Sequence, residues 1–141
     1  MDQRANAFFF GAHGAHEAWT QGVDVAHIVW RGDVSAEDVA AGAAAFELVP
    51  QQKQGFFLVL HVAEEGQMSS AARKAITSDP RSSLVREVIV VGANFHTRVV
   101  LGMISKALSV LGTGQAPMTL LATEEEVEPL LERLRRKWAS R

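Results

Sequence analysis

The chain has 141 residues, no cysteine and a formal net charge of −2, with 48% hydrophobic and 21% charged residues. This length and composition fit one globular domain spanning 1–141, and the lack of cysteine excludes disulfides, thiolate metal ligands and cysteine nucleophiles. There is no basic excess and no apolar run near the roughly 20 residues of a membrane span, so we expect no nucleic-acid partner, no membrane span and a cytoplasmic location.

The N-terminal region predicts a β-hairpin. Two runs of strand-favouring residues are separated by Gly22, and they place strands at about 12–20 and 24–31. Residues 1–11 precede this hairpin and are left as a flexible segment.

The hydrophobic period then changes to that of a helix. Ser35 and Asp38 form a capping-box pattern, Val39 and Phe46 fall on one helical stripe, and Pro50 ends the helix. The many alanines between these residues allow the helix to approach a sheet closely.

The rest of the chain alternates between strands and helices. Apolar runs predict buried strands, namely "GFFLVLHVA", "REVIVVGA" and "MTLLAT". Helical patterns follow each run, namely "SSAARKAITSD", "HTRVVLGMISKALSVLG" and "TEEEVEPLLERLRRKWASR". The last helix begins with a second capping box, Thr123 and Glu126, and Pro129 predicts a distortion near 125–129. The order ββαβαβαβα predicts an α/β domain with a mixed sheet of four or five strands and helices mainly on one face.

The histidines do not form a recognisable metal or catalytic motif. His13 and His16 point to opposite faces if both lie on a strand, whereas His27 and His61 lie on neighbouring strands where their rings can meet. There is no HExxH, GxSxG, P-loop or GxGxxG sequence. We therefore expect no metal site, no cofactor and no enzymatic activity, and we interpret the basic "RLRRK" as a solvated helix end.

Two adjacent serines, Ser69 and Ser70, stand where the helix "SSAARKAITSD" should begin. One interpretation is helix capping, in which a serine oxygen accepts a backbone N–H. The other is phosphorylation, because a helix N-terminus favours a phosphate, and Glu64 and Glu65 would enlarge the negative patch.

From about residue 16 to 139 the chain resembles the STAS family, the anti-sigma-factor antagonist domains with a SpoIIAA-like fold. The resemblance rests on the element order and on four segments, "WRGDVSAEDV", "MSSAARKAI", "VREVIVVGANFHTRVVLGMI" and "MTLLATEEEVEPLLERL". It is strongest for the bacterial STAS-like subgroup related to lipid-binding Sec14 domains.

The resemblance implies a non-catalytic regulatory domain that binds a kinase or an anti-sigma-factor-like protein. Phosphorylatable members carry an Asp-Ser-Ser-Gly-like stretch, which places Ser69 at the Asp position and Ser70 at the phosphoacceptor, with Ala71 and Ala72 replacing Ser and Gly. The contact surface implied by this match comprises Gly66, Gln67, Met68, Arg73, Lys74, Asn94 and His96. The alternative function is binding of a small apolar, lipid-like ligand, as in Sec14 domains. A homodimer is a further hypothesis, because an apolar patch on the uncovered face of the sheet could pair with a second copy.

Overall fold

A computed structural model of the chain describes residues 4–92 and 117–140, in which six strands form one mixed sheet. The strands are β1 (Arg4–Phe10), β2 (His16–Gln21), β3 (Val25–Arg31), β4 (Phe56–Glu64), β5 (Val85–Val91) and β6 (Met118–Leu121). The helices are α1 (Ala36–Ala43), α2 (Ser70–Ser78) and α3 (Val127–Ala139). The helix predicted at 96–112 lies outside the described residues.

The strands follow one another across the sheet in chain order. β1, β2 and β3 pair antiparallel, and β3, β4, β5 and β6 pair parallel. The α/β class and the mixed sheet are therefore confirmed. The hairpin prediction is also confirmed, although a 3-10 turn at Ala12–Gly14 delays the first of its strands to His16.

The prediction of four or five strands is wrong, because β1 adds an edge strand within the segment left as flexible. Phe10 anchors it: this ring is 8% exposed and packs edge-on against Trp30, with centroids 5.8 Å apart. At the other end of β1, the Arg4 guanidinium lies 3.9 Å from the centre of the Trp19 ring. Contacts at both ends therefore fix this segment against the hairpin, although most of its other side chains face solvent.

The two sheet faces carry separate hydrophobic clusters. Alternating side chains of the parallel strands point to opposite faces, as the strand period requires. The face covered by α1 and α2, here the α1/α2 face, contains Ile28, Leu58, Val88 and Val90. The opposite face, here the α3 face, contains Val25, Phe57, Val59, Ile89 and Val91 packed against α3. Two of the three described helices thus share one face, and α3 covers the other.

Local sequence signals explain where the helices begin. Ser35 and Asp38 form the predicted capping box at α1, and Thr123 and Glu126 form the second one before α3. The distortion predicted near Pro129 is present as a 3-10 turn, Glu124–Glu126, which precedes the regular helix. None of the helices in the described ranges is long and apolar enough to cross a bilayer.

Charged contacts hold α3 on its sheet face. Arg135 forms a bidentate salt bridge with Asp24, with nitrogen–oxygen distances of 2.9 and 3.0 Å. Glu87 is 3% exposed and accepts hydrogen bonds from Lys137 Nζ at 2.9 Å and Trp138 Nε1 at 2.7 Å. These pairs attach the C-terminal end of the helix to two different parts of the sheet, Asp24 after β2 and Glu87 of β5.

Candidate functional sites at the carboxyl ends of the strands

The two serines at the start of α2 have different roles. Ser69 is the N-cap, and its Oγ accepts the Ala72 backbone N–H at 3.0 Å. Ser70 is the first helical residue and is exposed. Within the described ranges, no side chain hydrogen-bonds to the Ser70 hydroxyl, so the capping interpretation accounts for one serine and leaves the other available.

The turn before α2 is bound tightly to the loop after β3. Met68 forms a parallel bridge with Val34, and the Gln67 backbone N–H donates to Asp33 Oδ1 at 2.8 Å. Gly66 approaches the backbone so closely that an added Cβ would lie 2.2 Å from the carbonyl carbon of Gly32. The turn is therefore exposed to solvent on one side and held in position on the other by the loop after β3.

The basic residues of the predicted contact surface lie on the same turn of chain. Arg73 and Lys74 are exposed on α2, three and four residues beyond Ser70, which places them beside it on the helix surface. The Arg73 guanidinium donates to the Met68 carbonyl at 2.8 Å. The structure thus brings together Gly66, Gln67, Met68, Ser69, Ser70, Arg73 and Lys74. Asn94 and His96 lie outside the described residues.

An apolar groove of about 360 Å³ runs along the α1/α2 face. Its lining includes Trp30, Leu60, Val90 and Met118. Val90 and Met118 belong to β5 and β6, on either side of residues 93–116. Its described lining is therefore mainly apolar and comes from both the sheet and the two helices that cover this face.

A second cluster of polar side chains lies on the α3 face. His27 Nδ1 and His61 Nε2 are 2.9 Å apart, which confirms that these two rings meet. His61 Nδ1 is 2.6 Å from Glu124 Oε1, and His27 Nε2 is 2.6 Å from Gln21 Oε1. Gln21 in turn donates from Nε2 to Glu128 Oε1 at 2.6 Å. We call this chain of five side chains the histidine relay; it comprises Glu124, His61, His27, Gln21 and Glu128.

An aromatic ring covers the two histidines at the centre of the relay. The Trp19 ring stacks on His27 with centroids 4.8 Å apart, and it also stacks on His61 at 5.4 Å. Burial lowers the pKa of His27 to about 3, helped by the charges of His61 and Arg4. His27 is therefore a neutral ring at physiological pH.

The other described histidines do not join this cluster. His16 is 2% exposed; its Nδ1 accepts the Arg31 backbone N–H and its Nε2 faces the Asp33 carbonyl at 3.1 Å. His13 is exposed in the 3-10 turn before β2. Within residues 4–92 and 117–140, no group of three or more histidine and acidic side chains is placed to hold a metal ion.

The carboxylate and amide partners of the histidines lie far from them in sequence and were not predicted. Gln21 lies six residues from His27, but Glu124 is 63 residues from His61 and Glu128 is 107 residues from Gln21. The local signal in this region is the run of three glutamates, Glu124 to Glu126, and the capping box of Thr123 and Glu126 explains only its last member.

The described chain is thus an α/β domain with a mixed sheet, an exposed serine turn on one face and, on the other, a histidine relay whose two rings are buried. Comparisons with protein-family models, with curated proteins and with solved structures found no match.

Proposed function

We propose that this protein is a non-catalytic regulatory domain that binds a protein partner through the turn and helix at 66–74, and that phosphorylation of Ser70 controls this binding. The observation that supports the proposal best is that the two serines have different structural roles. Ser69 is occupied as the N-cap, whereas Ser70 is exposed at the start of α2. The partner we propose is a regulatory protein of the kinase or anti-sigma-factor-like kind, as the STAS resemblance implies.

The charges around Ser70 would respond to a phosphate. A phosphoserine adds about −1.5 to −2 charges at pH 7, and the start of a helix favours such an anion. Arg73 and Lys74 stand within reach of this position on α2, so a phosphate on Ser70 would draw both cations toward it. It would compete with the Met68 carbonyl for the Arg73 guanidinium.

The same modification would change what the surface presents to a partner. Glu64 and Glu65 are exposed in the segment leading to the turn. A phosphate beside them would turn a mixed patch into a strongly acidic one, because it engages the two basic residues and adds negative charge. Such a change would repel an acidic partner and attract a basic one.

The site of modification can be mapped by mass spectrometry after incubation with ATP and lysate kinases. Trypsin cleaves after Lys53 and Arg73, so both serines fall in one peptide, and fragment ions must separate Ser69 from Ser70. We expect phosphate on Ser70, and we expect the Ser70→Ala variant to remain unmodified there.

Binding is tested with the partner isolated on the unmodified protein. Ser70→Asp should change its retention, whereas Ser83→Asp, which adds the same charge at an exposed serine beyond α2, should not. Lack of phosphate on Ser70, together with unchanged partner binding by Ser70→Asp, would overturn the proposal.

A further inference from the structure

The histidine relay begins and ends on the same segment of chain. Its two outer members lie four residues apart, Glu124 in the 3-10 turn that leads into α3 and Glu128 in the first turn of α3, and its inner members come from β2, β3 and β4. Each contact in the relay needs one hydrogen between two electronegative atoms, so the distances fix how many protons the relay must hold.

The contacts at the Glu128 end of the relay require a proton on His27 Nε2. The Glu128 carboxylate accepts from the Gln21 amide nitrogen, which leaves the amide oxygen facing His27 Nε2 at 2.6 Å. An amide oxygen only accepts, so His27 Nε2 must carry a proton.

At the other end, the Glu124 carboxylate accepts from His61 Nδ1 at 2.6 Å, which requires a proton on Nδ1. The contact between the two rings needs one more proton, on either His27 Nδ1 or His61 Nε2. The four ring nitrogens thus require three protons, whereas two neutral imidazoles carry only two. Moving one proton onto the Glu124 oxygen leaves the total unchanged.

We infer that the histidine relay is a binding site for one excess proton, and that this proton keeps both Glu124 and Glu128, and with them the start of α3, attached to the sheet. The ligand of the site is the proton itself, and the device responds to pH.

The surrounding charges place the excess proton on His61. His27 is buried, and the Arg4 guanidinium over Trp19 further disfavours a charge there. His61 instead faces the Glu124 carboxylate. Among the described charged groups of the neighbouring elements, Glu17 of β2 contacts Arg4 and Arg31, and Asp24 contacts Arg135 of α3.

Loss of the proton leaves two acceptors facing each other in one contact of the relay. Turning the Gln21 amide satisfies His27 but points the amide oxygen at the Glu128 carboxylate. The unfavourable contact can therefore be moved along the relay but not removed from it. Both ends are exposed carboxylates, and the Glu124 side chain is 64% exposed, so the conflict ends when one of them turns into solvent. In either case the start of α3 loses one of its two attachments to the relay.

The test is long-range nitrogen–proton NMR of the full chain labelled at histidine, over roughly pH 5.5 to 8.5. At the acidic end we expect His61 with protons on both ring nitrogens and His27 with a proton on Nε2. As the pH rises, the relay should lose its excess proton, and the backbone amide signals of Glu124 to Glu128 should shift with the same midpoint.

Two variants make the assignment specific. Glu124→Gln keeps an acceptor for His61 but removes the negative charge. The midpoint pH at which the backbone amide signals shift should therefore fall by about half a pH unit or more. His13→Gln removes an exposed histidine outside the relay and should leave that midpoint unchanged. The inference is overturned if the two relay rings carry only two protons throughout this range while the Glu124 and Glu128 carboxylates stay ionised, or if Glu124→Gln leaves the midpoint where it was. Glu124 is exposed, so the Glu124→Gln variant should fold. It therefore tests the inference without any substitution of the buried His61.

Discussion

Acidification from about pH 7 to pH 5 should remove stability that the neutral His27 ring contributes. The pKa of His27 is lowered from 6.5 to about 3, first because the ring is buried, then because of the charges on His61 and Arg4. In the unfolded chain the same ring titrates near its ordinary value. Between these two pKa values the unfolded state binds a proton at His27 that the native state does not bind, so the contribution of His27 to stability is complete above about pH 6.5 and is lost as the pH falls toward 3. The excess proton proposed for the relay contributes with the opposite sign, and the comparison of variants below isolates the His27 part.

The expected loss can be worked out from these two values. One pH unit within the window costs about 1.4 kcal/mol of the free energy of unfolding. Only the upper part of the window lies between about pH 7 and pH 5, which gives a loss of about 2 kcal/mol. Asp79 and Glu126 also have lowered pKa values, Asp79 through its Arg81 partner and Glu126 through the Thr123 backbone N–H. Their contributions are lost only near and below their ordinary pKa values of 3.8 and 4.5, outside this interval.

The assay is urea unfolding at about pH 7, 6 and 5 for the wild type, His27→Gln and His13→Gln. His27→Gln removes the titrating ring; we expect it to be less stable at pH 7 and to lose about 2 kcal/mol less than the wild type on going to pH 5. His13→Gln alters an exposed histidine and should follow the wild type. Equal losses in the wild type and His27→Gln would refute the reasoning.

Three further predictions concern the turn before α2 and the edge strand, and each is measured by chemical or thermal unfolding. Ser69→Ala should cost about 0.5–2 kcal/mol because it removes the N-cap, whereas Ser70→Ala should change stability by less than about 0.5 kcal/mol; equal effects would contradict the assigned roles. Gly66→Ala should cost more than about 1 kcal/mol, because its Cβ would meet backbone atoms of the loop after β3, and a neutral result would show that the two loops separate easily. Phe10→Ala should cost about 3–5 kcal/mol, whereas Phe9→Ala, at a side chain 65% exposed, should cost under about 0.5 kcal/mol; similar effects would mean that β1 is not packed as described.

The elements with strong local signals were predictable from the sequence. Ser35 and Thr123 each begin a capping box, and the apolar runs at β4 and β5 are strands covered on both faces. The edge strand β1 was not predictable from pattern, because its side chains are mostly exposed and do not alternate cleanly. A register shift between Ala5 and Phe8, with Asn6 at a φ of 57°, breaks the period that a regular strand would show.

The histidine contact could be predicted only in part. His27 and His61 share a face because His27 pairs with Val59, two residues before His61, and a strand repeats its side-chain direction every two residues. That argument needs only neighbouring strands in parallel register. The positions of Glu124 and Glu128 depend instead on where the chain returns after β6, which no local pattern specifies.

Strand β4 connects the two candidate sites and also keeps them apart. His61 points from β4 to the α3 face, whereas the chain leaving β4 reaches the Gly66–Met68 turn and carries α2 to the opposite face. The Gly66–Met68 turn is fixed by backbone contacts to the loop after β3, while the relay is fixed by side chains whose outer ends are on α3. Under the two proposals, a phosphate on Ser70 would act on α2 and its neighbours, and loss of the excess proton of the relay would act on α3. The alternation of side chains along one central strand places these two candidate sites on opposite faces of the sheet.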